Sequence, residues 1–253
     1  MLVGVADQLA VGRSPAGAVF PVLPRDHLRG VGAAGDGTER VERPRGRVFG
    51  REAAEFAALL GAALHAESPA LAAAAAYQVA CAFLKNDRLD DAETIALVTA
   101  ANLNDESPAG LSLRGALTLI AAVIAGRRND RGEAMERLQR AQVLADQLGE
   151  DANHGWTAFG PTNVAIHRVS TAAELGDAAS AIAQAEFVDV SSLPSGLLSR
   201  RAQVHIDMAW AYTQRRADAE AVVNLLEAER VAPQTLRYNV LVRELCANCS
   251  GKC

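Results

Sequence analysis

The feature that most constrains this chain is a pattern that recurs four times. Ala80 and Phe83 are followed by Ala92, Ala96 and Ala100, and Ala122 and Ala125 by Ala134, Leu138 and Ala141. Val169, Ala172 and Gly176 precede Ala181 and Ala185, and Ala209 and Tyr212 precede Ala221, Leu225, Ala228 and Pro233. In every copy two mostly small residues stand three apart, a polar turn follows, and an Ala stands nine residues after the second position. Residues three and four apart share a helix face, so each copy reads as helix, turn, helix. Small residues belong where two such helices cross, because anything larger would push them apart.

Composition points the same way. Alanine supplies 52 of the 253 residues and aromatic residues only 4%, and alanine has the best helix propensity. Turn signals punctuate the chain at Ser68-Pro69, Asn86-Asp87, Asp105 to Pro108, Asn129-Asp130, Gly149, Gly176-Asp177, Leu193 to Gly196, Arg216 to Asp218 and Pro233. Between them lie amphipathic stretches of ordinary helix length. The sequence therefore predicts an all-α chain of about ten helices and no sheet: a helical-hairpin solenoid of four to five repeats over residues 51–245. Residues 1–50 hold nine Gly and four Pro, and 29–50 lack any apolar period, so they are expected to form an irregular segment. Residues 246–253 form a cysteine-containing tail.

The formal net charge of −5 argues against a nucleic-acid surface spread over the whole molecule. No apolar run approaching the roughly 20 residues of a bilayer span is evident, and the first residues do not read as a signal peptide. A cytoplasmic protein is expected, with 23 Arg against two Lys fitting a high-GC genome. No phosphate-binding loop, dinucleotide-binding turn, His-Glu-x2-His or Gly-x-Ser-x-Gly motif is present, and the five His show no metal spacing. Neither catalysis nor a cofactor or metal is expected. Cys246, Cys249 and Cys253 could supply three zinc thiolates, but the second paired motif of a zinc site is missing, so a frayed tail is the preferred reading.

The spacing is similar to that of the tetratricopeptide repeat, best in the copy carrying Ala209, Tyr212, Ala221, Ala228 and Pro233. The alanines Ala92, Ala134, Ala181 and Ala221 are 42, 47 and 40 apart, longer than the regular repeat of about 34. An Ala-rich bundle with chance matches is the alternative. In tetratricopeptide-like repeats the first helix of each pair lines a concave groove. The resemblance implies that Tyr77, Cys81 and Lys85, then Arg127, then Asn163, His167, Ser170 and Glu174, and finally Gln203, Trp210 and Gln214 face that groove. Such amide and aromatic groups suit a peptide or protein partner, with a homodimer as a further arrangement.

One segment is more specific. The run DANHGWTAFGPTNVAIHRV over 151–169 resembles the repeat region of XRE-type helix-turn-helix transcriptional regulators of high-GC Gram-positive bacteria. The likeness extends through Leu193-Pro194, the stretch from Arg200 to Tyr212, and Glu227 to Pro233, covering about 68–245. It implies a regulatory effector region that binds a ligand or a partner; a general protein-interaction scaffold unrelated to transcription is the alternative. Residues 1–50 do not match the DNA-binding domain of those regulators. The chain is thus expected to represent the effector half, with a truncated or altered start and without direct DNA binding. Within the segment, Pro161 should open a helix, and His154, Trp156 and Phe159 should organise the preceding loop, the two aromatic residues packing it onto the neighbouring hairpin. Asn163, His167 and Ser170 share one helical face, either as ligand-binding groups or as satisfied polar residues of a pinned loop.

Overall fold

The computed structural model describes residues 68–239, 241–243, 245 and 246. The readings of residues 1–50 and of Cys249 and Cys253 lie outside them. Among the described residues all regular structure is helical, with no strand. The order is α1 (Pro69–Lys85), α2 (Leu89–Asn102), α3 (Pro108–Arg127), α4 (Arg131–Leu148), α5 (Pro161–Glu174), α6 (Ala178–Ala185), α7 (Leu198–Gln214), α8 (Asp218–Val231) and α9 (Pro233–Tyr238). Single 3-10 turns stand at His154–Trp156 and Val190–Ser192.

Four of the helices begin at a side-chain cap. Ser68 and Ser107 accept hydrogen bonds from the backbone N–H groups of Leu71 and Gly110, and each is followed by proline at the first helical position. Proline costs nothing there, since its missing N–H would have no helical partner. Asp130 and Asp177 cap α4 and α6 in the same way, accepting from Glu133 and Ser180 at 3.0 and 3.1 Å.

A single turn geometry closes all four helix pairs. Residues 86–88, 128–130, 175–177 and 215–217 each place a left-handed residue at the centre: Asp87, Asn129, Gly176 and Arg216, with φ of 59°, 62°, 73° and 58°. The next N–H then reaches back to the carbonyl of Phe83, Ala125, Ala172 or Tyr212 at 2.9–3.0 Å. This is the Schellman closure of a helix C-terminus. Its acceptors are the second residues of the four sequence copies, so the repeat frame and the turn frame coincide.

Each helix packs against the next, and α1, α3, α5 and α7 also pack in succession against one another. Ala80, Ala92, Ala122, Ala134, Val169, Ala181, Ala209 and Ala221, the crossing positions of the pattern, are all fully buried. Two bonds tie successive pairs in the same register: Arg127 Nη1 donates to the Leu84 carbonyl at 2.8 Å and Gln214 Nε2 to the Ala173 carbonyl at 3.1 Å. Both acceptors immediately follow the carbonyl that closes their own turn.

A second tie joins α2 to α4. Arg137, buried on α4, donates to Glu93 of α2 at 2.5 Å, to the Ala121 carbonyl at 2.8 Å and to Glu133 at 2.7 Å. Arg128 also pairs with Glu93 and with Asp90. The apolar interior falls into two clusters, one built on α1 to α4 with Phe159 and Val164, the other on α5 to the C-terminal turn with Ile166 and Val169. Helix α5 contributes to both.

The expectation that no apolar run approaches a bilayer span needs correction. Helix α3 is 20 residues long and apolar enough to qualify by composition. Arg114 and the scattered small residues disguise the run in the sequence. In the fold α3 is the central helix, packed against α1, α2, α4 and α5, and 89% of that stretch is buried inside the protein.

Candidate functional site

The loop before α5 is fixed by its own polar side chains. Asn153 Oδ1 accepts from the Ala158 N–H at 3.0 Å, Asp151 Oδ1 from the Thr162 N–H at 2.9 Å, and the Ala152 N–H donates to the Phe159 carbonyl at 3.1 Å. The Thr157 hydroxyl donates to the His154 carbonyl at 2.8 Å. Trp156 and Ala158 take left-handed φ of 59° and 53°, a conformation that costs a non-glycine residue about 1–2 kcal/mol.

Of the two aromatic residues expected to pack this loop, only Phe159 does so. Its ring is fully buried against α3, whereas Trp156 is 52% exposed. The Phe159 ring packs onto the bare face of Gly115 on α3. Pro161 opens α5 beside this anchor, and His154 keeps a buried Nε2 without a partner.

The groove candidates all lie on α1, α3, α5 and α7, but they do not form one uniform surface. Lys85, Arg127, Glu174 and Gln214 occupy equivalent positions, two residues beyond the turn-closing carbonyl. Arg127 bonds Leu84 and pairs with Glu174 at 3.5 Å, and Gln214 bonds Ala173. This row therefore ties helices together, with Lys85 exposed at its end. Ser170 donates to the buried carboxylate of Asp207, which also accepts from Gln203 at 2.9 Å. Trp210 is buried beside them on α7.

The remaining polar groups are less satisfied. Asn163 is 1% exposed, yet its Oδ1 has no hydrogen-bond partner, and neither has the buried Nδ1 of His167 one turn further on. A buried amide oxygen without a donor costs roughly 1–3 kcal/mol.

The residue missed by sequence reasoning is Arg200. It lies in the first turn of α7, and its charge pulls the Tyr77 phenol and the Cys81 thiol of α1 downward against their burial. Its charge also acts on His167 of α5. The stripe Gln203, Asp207, Trp210, Gln214 extended back by three residues reaches Arg200, so the helical period already contained the signal. Two bonds join α5 to α7, Ser170 to Asp207 and Gln214 to the Ala173 carbonyl.

This cluster has a defined protonation state. Burial, aided by the charge of Arg200, pushes His167 down to about 3, so the imidazole is neutral. Burial and the neighbouring Cys81 push the Tyr77 phenol up, against the opposing pull of Arg200. Burial likewise pushes the Cys81 thiol up, outweighing Tyr77, Arg200 and Lys85. The thiol and phenol stay protonated, and the guanidinium is the charge of the cluster. That combination suits holding a polar ligand, since thiolate chemistry needs a depressed thiol pKa. Among the described residues no group of three or more His, Cys, Asp or Glu could hold a metal ion.

An apolar cleft of about 440 Å³ lies elsewhere, between α8, α9 and the C-terminal turn, lined by Leu226, Leu236 and Val242 among others. No protein-family model, no curated protein and no solved structure matches this chain.

Proposed function

We propose that this chain is a regulatory binding module: a tetratricopeptide-like solenoid whose first helices α1, α3, α5 and α7 line a groove for a peptide or a segment of a partner protein. The observation that carries this reading is the pair of buried, unsatisfied groups Asn163 Oδ1 and His167 Nδ1, one turn apart on α5. The repeated turn and the two matching inter-pair bonds support the solenoid, because each pair meets its neighbour in one register. The resemblance of 151–169 to effector regions of XRE-type regulators supports a regulatory role, in which an occupied groove shifts packing between repeats and so biases a linked function.

The test is an NMR titration of the full chain with a pool of randomised heptapeptides. Shifts confined to α1, α3, α5 and α7 are expected, and shifts confined to the α8–α9 cleft, or none, would overturn the reading. In a gel-shift assay with the DNA upstream of its own gene, no specific complex is expected. A specific complex surviving moderate salt would overturn the assignment as a module without DNA binding.

A further inference from the structure

Helix α8 is where the packing order of the fold stops. Helices α2, α4 and α6 each pack against the helix that opens the following pair, α3, α5 and α7 respectively. Those three have 20, 14 and 17 residues, whereas α8 is followed by α9, a helix of six. The part of α8 left uncovered is apolar. Val222, Val223 and Leu226 are 40%, 59% and 59% exposed, and no other helix among the described residues exposes three large hydrophobic side chains. Val222, Leu226 and Glu229 follow one another at spacings of four and three along one wall of the α8–α9 cleft. That is the period of a helix face that meets another helix.

Two charges line this apolar cleft, Glu229 on α8 and Arg237 on α9. Both are exposed, and among the described residues neither has an ion-pair partner, whereas Glu227 and Arg230 beside them on α8 pair with each other at 2.8 Å. A cleft with an acid on one wall and a base on the other is complementary to itself. A two-fold axis presents the same patch from both sides, so a contact between Glu229 and Arg237 forms twice. A uniformly acidic or basic partner would satisfy one wall and repel the other. Residues 247–253 hold no Val, Leu, Ile, Met or aromatic residue to cover the cleft.

We propose that the α8–α9 cleft is the interface of a homodimer, the α8 stripe of each copy packing on the cleft of the other about a two-fold axis. Glu229 of each copy pairs with Arg237 of the partner subunit. The apolar stripe supplies the contact area, and the two reciprocal ion pairs fix its orientation. The cleft is built from α8, α9 and the C-terminal turn, none of which contributes to the groove, so this proposal stands independently of the groove reading.

Sedimentation velocity of the full chain across a wide concentration range, with the cysteines kept reduced, tests the pairing. A species of twice the chain mass is expected, dissociating on dilution. Glu229→Arg and Arg237→Glu should each weaken association at least about tenfold, because each sets like charges against one another twice. Mixed in equal amounts, the two variants should associate as the wild type does, since one copy then carries both bases and the other both acids. That rescue excludes misfolding as the cause of the single losses. Cys246 lines the cleft and is exposed, so its labelling by a maleimide should slow as the copies pair. A monomer at every concentration overturns the proposal, and slow labelling of Cys246 in that monomer would identify another segment of the chain as the occupant. A dimer that the charge reversals leave intact, or that the mixture fails to restore, overturns it as well.

Discussion

The tip of the Phe159 ring occupies the space that a side chain on Gly115 would fill. A Cβ built on Gly115 would lie 2.0 Å from Phe159 Cζ, far inside van der Waals contact. Gly115→Ala should therefore cost about 1–3 kcal/mol, as overpacking does, and Phe159→Ala about 3–5 kcal/mol through the cavity it leaves. The combination is the sharper test. With Phe159 removed, Gly115→Ala should become neutral or stabilising, since alanine is the better helix former by about 1 kcal/mol. Urea unfolding of the four proteins measures this coupling, and additive losses would refute the contact.

The shared turn predicts opposite signs at two of its centres. A Cβ on Gly176 meets nothing within 4 Å, but its φ is 73°, so Gly176→Ala should lose about 1 kcal/mol to backbone strain alone. Arg216 holds the equivalent conformation with a side chain, at φ 58°, and Arg216→Gly should gain up to about 1 kcal/mol. Equal signs in thermal melts would show that the turn conformation is not the controlling factor.

Glu93 joins α2 to Arg128 and Arg137, and its removal leaves a buried guanidinium without its inter-pair carboxylate. Glu93→Ala should cost about 3 kcal/mol. Burial by itself would raise the Glu93 pKa, but the hydrogen bonds and charges of the two arginines outweigh it and hold the carboxyl below its ordinary value. A lowered carboxyl pKa stabilises the fold above the unfolded value and is lost as pH falls through the folded one. The difference between wild type and Glu93→Ala should accordingly be full at pH 7 and narrow below about pH 4. A difference independent of pH would rule out the charged tie.

His167 acts over a different interval. Its folded pKa is about 3 against about 6.5 in an unfolded chain. Between those values the unfolded state binds more protons, so stability rises with pH, by up to about 1.4 kcal/mol per unit. Urea midpoints from pH 4.5 to 7 should show this slope, and His167→Gln should flatten it. In that range Glu93 stays ionised, so the two effects are separable.

The four small-residue copies were legible because burial at a helix crossing restricts side-chain size, and Ala92, Ala134, Ala181 and Ala221 carry that restriction into the sequence. The caps and turns were legible for the same kind of local reason. Arg200 was not, because its importance arises from Tyr77 and His167, which stand on two other helices. Trp156 was misjudged because nothing in the sequence says which of the two rings packs onto Gly115 of α3, and Phe159 does. The long apolar helix α3 was overlooked because Arg114 and its small residues hide a segment whose burial depends on four neighbours.

Helix α5 contributes Val164 to one apolar cluster and Ile166 and Val169 to the other. The two clusters can thus open as separate cooperative units, each with its own protection against hydrogen exchange. Asn163 and His167 stand on the same helix, at the seam between those units. A ligand held there would resist the opening of both. Occupancy would be felt across the chain as a change in which half frays first, without any large displacement of either.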